Sequence, residues 1–160
     1  MASPAPGQPA PDFTLDGVED GVRRTFSPSD ARGSALVLAF YPGDDTMVCT
    51  KQLCSYQDDL SLLTGLGAQL WGISPQGLDS HEAFAAKRSL SFPLLADPDR
   101  VAIKAYGVNG PLGHTKRSVF VLDAEGVVRW SHVSTLGITY QDSEQIAAAL
   151  RSLEVTDSRP

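Results

Sequence analysis

Cysteine is scarce in this chain: 160 residues hold two, Cys49 and Cys54. Two are too few for a secreted disulfide scaffold, and in a reducing compartment such a pair is more often catalytic or metal-binding than structural. Basic charge is also short. Thirteen Lys and Arg stand against nineteen Asp and Glu, a net charge of −6 with a sequence pI near 4.9. That balance argues against nucleic acid or an anionic membrane as a partner. Long apolar runs are missing as well, and none approaches the length of a membrane span. The opening Met1-Ala2-Ser3-Pro4-Ala5-Pro6 has neither the basic start nor the apolar core of a secretory leader, so a cytoplasmic protein is expected. With 42% apolar and 20% charged residues the composition is that of an ordinary globular protein. No repeat or linker divides it. A single domain over residues 1–160, with its core at about 7–153, is expected.

What is present centres on Phe40-Tyr41-Pro42-Gly43-Asp44-Asp45-Thr46-Met47-Val48-Cys49-Thr50-Lys51-Gln52-Leu53-Cys54. The apolar run Leu36–Tyr41 reads as a buried strand, which Pro42, Gly43 and two aspartates then break. Cys49, Leu53, Tyr56, Leu60 and Leu63 follow at spacings of four and three, one face of a helix. Thr46 stands at the N-cap position, which makes Cys49 the third helical residue. A thiol is thereby expected in the first turn, where unpaired N–H groups and the positive end of the helix dipole favour thiolate over thiol. A buried free cysteine acting as a small hydrophobe is the competing reading at this point.

Along the chain, residues 2–11 read as a Pro-rich extended arm. Phe13-Thr14-Leu15 and Arg24-Thr25-Phe26 suggest a hairpin, and Ser27-Pro28-Ser29-Asp30 a short capped turn. A helix over 47–64 is expected to stop near Gly65 and Gly67, before a strand Ala68–Ile73. Asp79–Arg88 reads as a helix, Ala96–Asp99 as a turn, and Arg100–Tyr106 as a short helix ending at Gly107. Ser118–Asp123 and Val127–Val133 read as an antiparallel hairpin, and Asp142–Leu153 as the last helix. A mixed sheet with helices on both faces suits this order. Gly107-x-x-Gly110-x-x-Gly113 lacks dinucleotide spacing and reads as a flexible loop. His81, His114 and His132 are scattered and read as solvated or hydrogen-bonded, and Asp44-Asp45 with Asp58-Asp59 as solvated charges.

The frame Pro42-x-x-x-Thr46-x-x-Cys49 resembles the active-site signature of the peroxiredoxins, and Cys49-x-x-x-x-Cys54 resembles their Q branch, also called bacterioferritin comigratory proteins. Gly7-Gln8-Pro9-Ala10-Pro11-Asp12-Phe13-Thr14-Leu15, Phe92-Pro93-Leu94-Leu95-Ala96-Asp97, Ala105-Tyr106-Gly107-Val108 and Arg117-Ser118-Val119-Phe120-Val121-Leu122-Asp123 agree with it, so the similarity runs from about Gly7 to about Leu150. The resemblance implies a thioredoxin-like α/β fold, a central mixed β-sheet flanked by helices, with an N-terminal β-hairpin extension. It implies a thiol-specific peroxidase for hydrogen peroxide and organic hydroperoxides, acting as a monomer without metal or other cofactor. Cys49 would be the nucleophile and pass through a sulfenic acid, and Cys54 would resolve it to an intramolecular disulfide. Thioredoxin or a similar dithiol would reduce that bond. Thr46, Arg117 and the amides of Val48 and Cys49 would stabilise the reacting oxygens, with Pro42 shielding the pocket. Many members carry Glu where this chain has Gln52, so no charge role carries over at that position.

Two other classes compare poorly. A thioredoxin-type disulfide reductase needs Cys-x-x-Cys at the helix start, whereas four residues separate Cys49 from Cys54. A metal-binding module lacks any recognised zinc spacing and leaves the helix-start position unexplained.

Overall fold

The apolar run before Pro42 is two-sided, and the whole fold is layered on it. Leu36, Leu38 and Phe40 enter one hydrophobic core, while Val37, Ala39 and Tyr41 enter another on the opposite face of the sheet. The structure, a computed structural model, describes residues 3–44, 46–134 and 141–157. In chain order its elements are β1 (Leu15–Glu19), β2 (Val22–Phe26), β3 (Ala35–Phe40), α1 (Met47–Asp58), α2 (Leu60–Gly65), β4 (Ala68–Ser74) and α3 (Leu78–Arg88). There follow β5 (Leu94–Ala96), α4 (Val101–Ala105), β6 (Ser118–Leu122), β7 (Val128–Val133) and α5 (Ser143–Asp157).

The strands form one seven-stranded sheet in the order β2-β1-β5-β4-β3-β6-β7. β3, β4 and β5 run parallel, and β1 and β6 flank them antiparallel. Helices α1, α2, α3 and α5 supply Leu53, Leu63, Phe84 and Leu150 to the core on one face. On the other face α4 supplies Ile103, packed with Phe13, Phe26, Trp71 and Phe120. This is the thioredoxin-like α/β arrangement, a mixed sheet between helices with the β1–β2 hairpin as its N-terminal extension. The hairpin turns on Asp20 and Gly21, both at positive φ (50° and 79°), the two-residue geometry that matches strand twist.

Three expectations change. The helix expected over 47–64 is broken at Asp59, whose backbone (φ −103°, ψ 13°) ends α1 and begins α2. Two adjacent aspartates are poor helix formers, and the break leaves both exposed while Leu63 reaches the core. β5, a strand that the sequence did not suggest, emerges at Leu94–Ala96, just ahead of the turn expected over Ala96–Asp99. Its three residues carry no pattern of their own and are strand only because β4 and β1 pair with them on either side. The last helix starts at Ser143, because Asp142 and Gln145 exchange reciprocal 2.9 Å side-chain-to-amide bonds, a capping box. The glycine loop before β6 also contains a short 3-10 turn, Pro111–Gly113.

Candidate active site

The site is built at the point where β3 ends and α1 begins, at the carboxyl ends of the parallel strands. The first helical bond of α1 runs from the Thr50 N–H to the Thr46 carbonyl, 2.8 Å. The N–H groups of Met47, Val48 and Cys49 therefore have no acceptor within the helix. Cys49 is fully buried, Cys54 is half-buried, and both are free thiols. Thr46 holds the N-cap position with extended backbone, but its side chain does not cap. Its hydroxyl instead donates to the Gly43 carbonyl at 3.2 Å, tightening the loop.

Arg117 reaches Cys49 through sheet register. β6 lies antiparallel to β3 with Ser118 opposite Phe40, so Arg117, one residue earlier, comes level with Tyr41 at the start of the loop. The guanidinium is buried, 3% exposed. Its Nη2 donates to Cys49 Sγ at 3.2 Å and its Nη1 to Gln52 Oε1 at 2.5 Å. Gln52 Nε2 in turn donates to the Tyr56 hydroxyl at 3.1 Å, which donates to the Gln141 carbonyl at 2.5 Å. An amide suits this chain of bonds, since it accepts at one end and donates at the other. A carboxylate at position 52 would need Tyr56 to donate to it and give up the Gln141 carbonyl. Gln52 also brings no negative charge against Arg117, and a buried cation acts more strongly on sulfur than one in water.

Pro42 is half-buried between Tyr41 and Gly43. Asp44 corrects the expectation of a solvated charge: its side chain is 3% exposed. It accepts from the Tyr41 hydroxyl at 2.6 Å and from Ser80 Oγ at 2.7 Å, and lies 2.7 Å from His81 Nδ1. Burial, then the Asp44 charge and its hydrogen bond, push the Tyr41 hydroxyl well above the usual phenol range, so it stays a donor. Gly72 lets this ring lie close, since a Cβ there would stand 3.2 Å from Tyr41 Cε1. Asp45 lies outside the described residues, and Asp58 and Asp59 are solvated as expected. His81 is buried and hydrogen-bonded, whereas His114 and His132 are exposed. Among the described residues no group of three or more His, Cys, Asp or Glu could hold a metal ion, and no helix is long and apolar enough to cross a membrane.

The chain is similar to known proteins over most of its length. The AhpC/TSA family model matches residues 6–131, which include Pro42, Thr46, both cysteines and Arg117. The chain belongs to this family, the peroxiredoxins. A chloroplastic peroxiredoxin Q from Populus jackii is 42% identical over 125 residues, covering 77% of this chain and 57% of that protein. The chain thus spans little more than half of that plant relative. A putative peroxiredoxin, bcp, from Coxiella burnetii is 36% identical over 140 residues, 82% of this chain and 91% of its own length. Among solved structures, AhpC of Enterococcus faecalis superposes with a TM-score of 0.89 at 25% identity, over 97% of this chain and 96% of that one.

As a peroxiredoxin the chain brings together Cys49 and Arg117, which sequence reading paired only through the resemblance, and keeps Cys54 on the same helix. Sequence reading missed Tyr56, Asp44 and His81 as parts of the site. Tyr56 had a local signal, since it lies four residues beyond Gln52 on one helix face. Asp44 and His81 had none, because they come from different elements.

Proposed function

We propose that this chain is a thiol-specific peroxidase that reduces hydrogen peroxide and organic hydroperoxides, re-reduced by thioredoxin or a similar dithiol. It works as a single-domain monomer in the cytoplasm, with no metal, haem or flavin. The observation that carries the reading is the Arg117 guanidinium 3.2 Å from Cys49 Sγ in the first turn of α1. The cation stands against the sulfur that attacks, in a turn whose amides have no acceptor within the helix.

The Cys49 sulfur attacks one peroxide oxygen, an S–O bond forms as the O–O bond breaks, and the other oxygen leaves as hydroxide or alkoxide and is protonated. Arg117 and the amides of Val48 and Cys49 face the charge that develops on the oxygens. The Thr46 hydroxyl already gives its hydrogen to Gly43, so it acts as an acceptor and orients the peroxide O–H. Pro42 forms the wall that keeps water out. Cys54 then attacks the sulfenic sulfur, releasing water and leaving an intramolecular disulfide, which an external dithiol reduces through a mixed disulfide.

The test is peroxide loss by purified protein with thioredoxin, thioredoxin reductase and NADPH, followed as NADPH oxidation. Turnover that disappears when thioredoxin is omitted supports the full cycle. A protein inert to peroxide even in a single turnover refutes it.

A further inference from the structure

The buried cluster around Asp44 has no part in the chemistry above, yet it grips the loop between Pro42 and Thr46. Oδ1 of Asp44 accepts from the Tyr41 hydroxyl, 2.6 Å, while Oδ2 accepts from Ser80 Oγ and faces His81 Nδ1, each at 2.7 Å. The Asp44 amide donates to Gln76 Oε1. Both the side chain and the main chain of one loop residue are thus bound to α3 and the turn that leads into it. Among the described residues the Thr46 hydroxyl bonds within the loop, to Gly43.

The hydrogen bonds also settle where the protons are. His81 Nε2 lies 2.9 Å from the Leu95 carbonyl, which can only accept, so Nε2 carries a hydrogen. A bare Nδ1 could not sit 2.7 Å from a carboxylate oxygen, because two lone pairs would meet. One proton must lie between them. Asp44 and His81 are thus joined by a hydrogen bond between Oδ2 and Nδ1, with Tyr41 and Ser80 donating to the same carboxyl group.

We propose that Asp44 and His81 are a positioning pair that pins the Pro42–Thr46 loop to α3 and so holds Pro42 and Thr46 in place for attack at Cys49. The proposal rests on the thiol-peroxidase reading. Neither residue touches the sulfur. The pair acts through the backbone of a loop that carries a Pro and a Gly, and a displacement of about 1 Å in such a positioning element can cost on the order of a hundredfold in rate. Asparagine can replace the carboxylate without a charge. Its oxygen would accept from Tyr41, and its amide would donate to a neutral His81 Nδ1 and to Ser80 Oγ.

The experiment compares wild type with Asp44→Ala and Asp44→Asn in the reduced protein. It uses the single-turnover rate with hydrogen peroxide, the rate of Cys49 alkylation by iodoacetamide, and the ¹⁵N spectrum of the His81 ring. Asp44→Ala should lose about tenfold or more in the peroxide rate with no slowing of alkylation, and Asp44→Asn should recover most of the loss. The His81 Nδ1 signal should shift in Asp44→Asn, because its partner changes from a carboxylate to an amide. If Asp44→Ala does not fold, the ring spectra and the Asp44→Asn rate still decide. A folded Asp44→Ala with the wild-type rate, an Asp44→Asn as slow as Asp44→Ala, or His81 ring signals unchanged by Asp44→Asn would overturn the pair. A wild type that does not react with peroxide would instead refute the peroxidase reading, and the ring spectra would still report on the Asp44–His81 contact.

Discussion

Two buried carboxylates close two loops of this protein by opposite means. Asp123, in the β6–β7 turn, is 5% exposed and satisfied almost entirely by its neighbours. Its Oδ1 accepts the N–H groups of Glu125 at 2.9 Å and Val127 at 3.0 Å, and its Oδ2 accepts Arg129 Nε at 2.7 Å. Asp44 is as well covered, but Gln76, Ser80 and His81 lie 32 to 37 residues away. The Asp123 turn carries its own bonds wherever β6 and β7 pair. The Asp44 loop has its shape only once α3 has docked on the sheet. The Cys49–Arg117 contact is more remote still, at a separation of 68 residues. Chemistry is thus placed where the chain depends on tertiary packing, and the self-contained turn serves only stability.

The largest expected effect separates the two regions completely. Cys49→Ser should abolish peroxide consumption, whereas Asp123→Ala, if folded, should keep it. Cys54→Ser should consume one equivalent and stall as a sulfenic acid. Single-turnover peroxide loss and mass measurement of each variant check this. A Cys49→Ser protein that still consumed an equivalent of peroxide would break the assignment.

Arg117→Ala should come next. Loss of the cation beside sulfur and peroxide should slow peroxide attack by about a hundredfold, in the range seen when one preorganised donor is removed. Alkylation of Cys49 at fixed neutral pH should slow in parallel. Arg117→Lys should recover only part, since an ammonium cannot contact sulfur and Gln52 with one planar fork. Unchanged rates in the alanine variant would leave Arg117 with a structural role alone.

Oxidation should then act on one region and spare the other. Cys49 and Cys54 lie within α1, where helical rise and rotation put their Cα atoms roughly 8.5 Å apart, beyond the limit of about 7 Å for a disulfide. The bond therefore requires unwinding of the helix between them, which a helix terminus allows at small cost. Amide exchange over residues 49–55 should be faster in the disulfide form, and exchange at Glu125 and Val127 unchanged. Equal protection of 49–55 in both redox forms, with the disulfide confirmed by mass, would contradict the unwinding.

The smallest effect is on stability. Burial alone would raise the Asp123 carboxyl, but the Val127 amide, Arg129 and the Glu125 amide outweigh it and hold it below its ordinary value. A carboxyl depressed in the folded state stabilises the protein above its unfolded-state value, and that contribution is lost as pH falls through the folded value. Asp123→Ala should cost about 1–3 kcal/mol near neutral pH, from buried amides left unpaired. The difference from wild type should shrink in acid, below about pH 4. Urea unfolding of both proteins at neutral and acid pH measures it, and a difference that stayed constant would contradict the linkage.

Much of the frame was legible in residue order. The apolar run of β3, the β6–β7 hairpin, the amphipathic face of α1 and the helix-start position of Cys49 depend on local pattern, and each was found within a residue or two. β5 was not, since three residues between Pro93 and Asp97 have no periodicity to read. The break at Asp59 was hidden because the apolar spacing continues across it. Thr46 was found at the N-cap, yet its hydroxyl went to Gly43, a choice between two nearby partners that propensity does not make.

By itself, then, the sequence determined what neighbours a few residues apart can determine: strand faces, helix starts, turn geometry, and a thiol among unpaired amides. Only the tertiary structure decided that Arg117 stands against Cys49, because antiparallel register had to bring the start of β6 to the end of β3. It also turned Asp44 from a solvated charge into a buried partner of His81, because α3 packs over the loop and removes water from it. These contacts join residues far apart in the chain. Their energy exists only when the sheet and its helices have assembled, so no local pattern announces them.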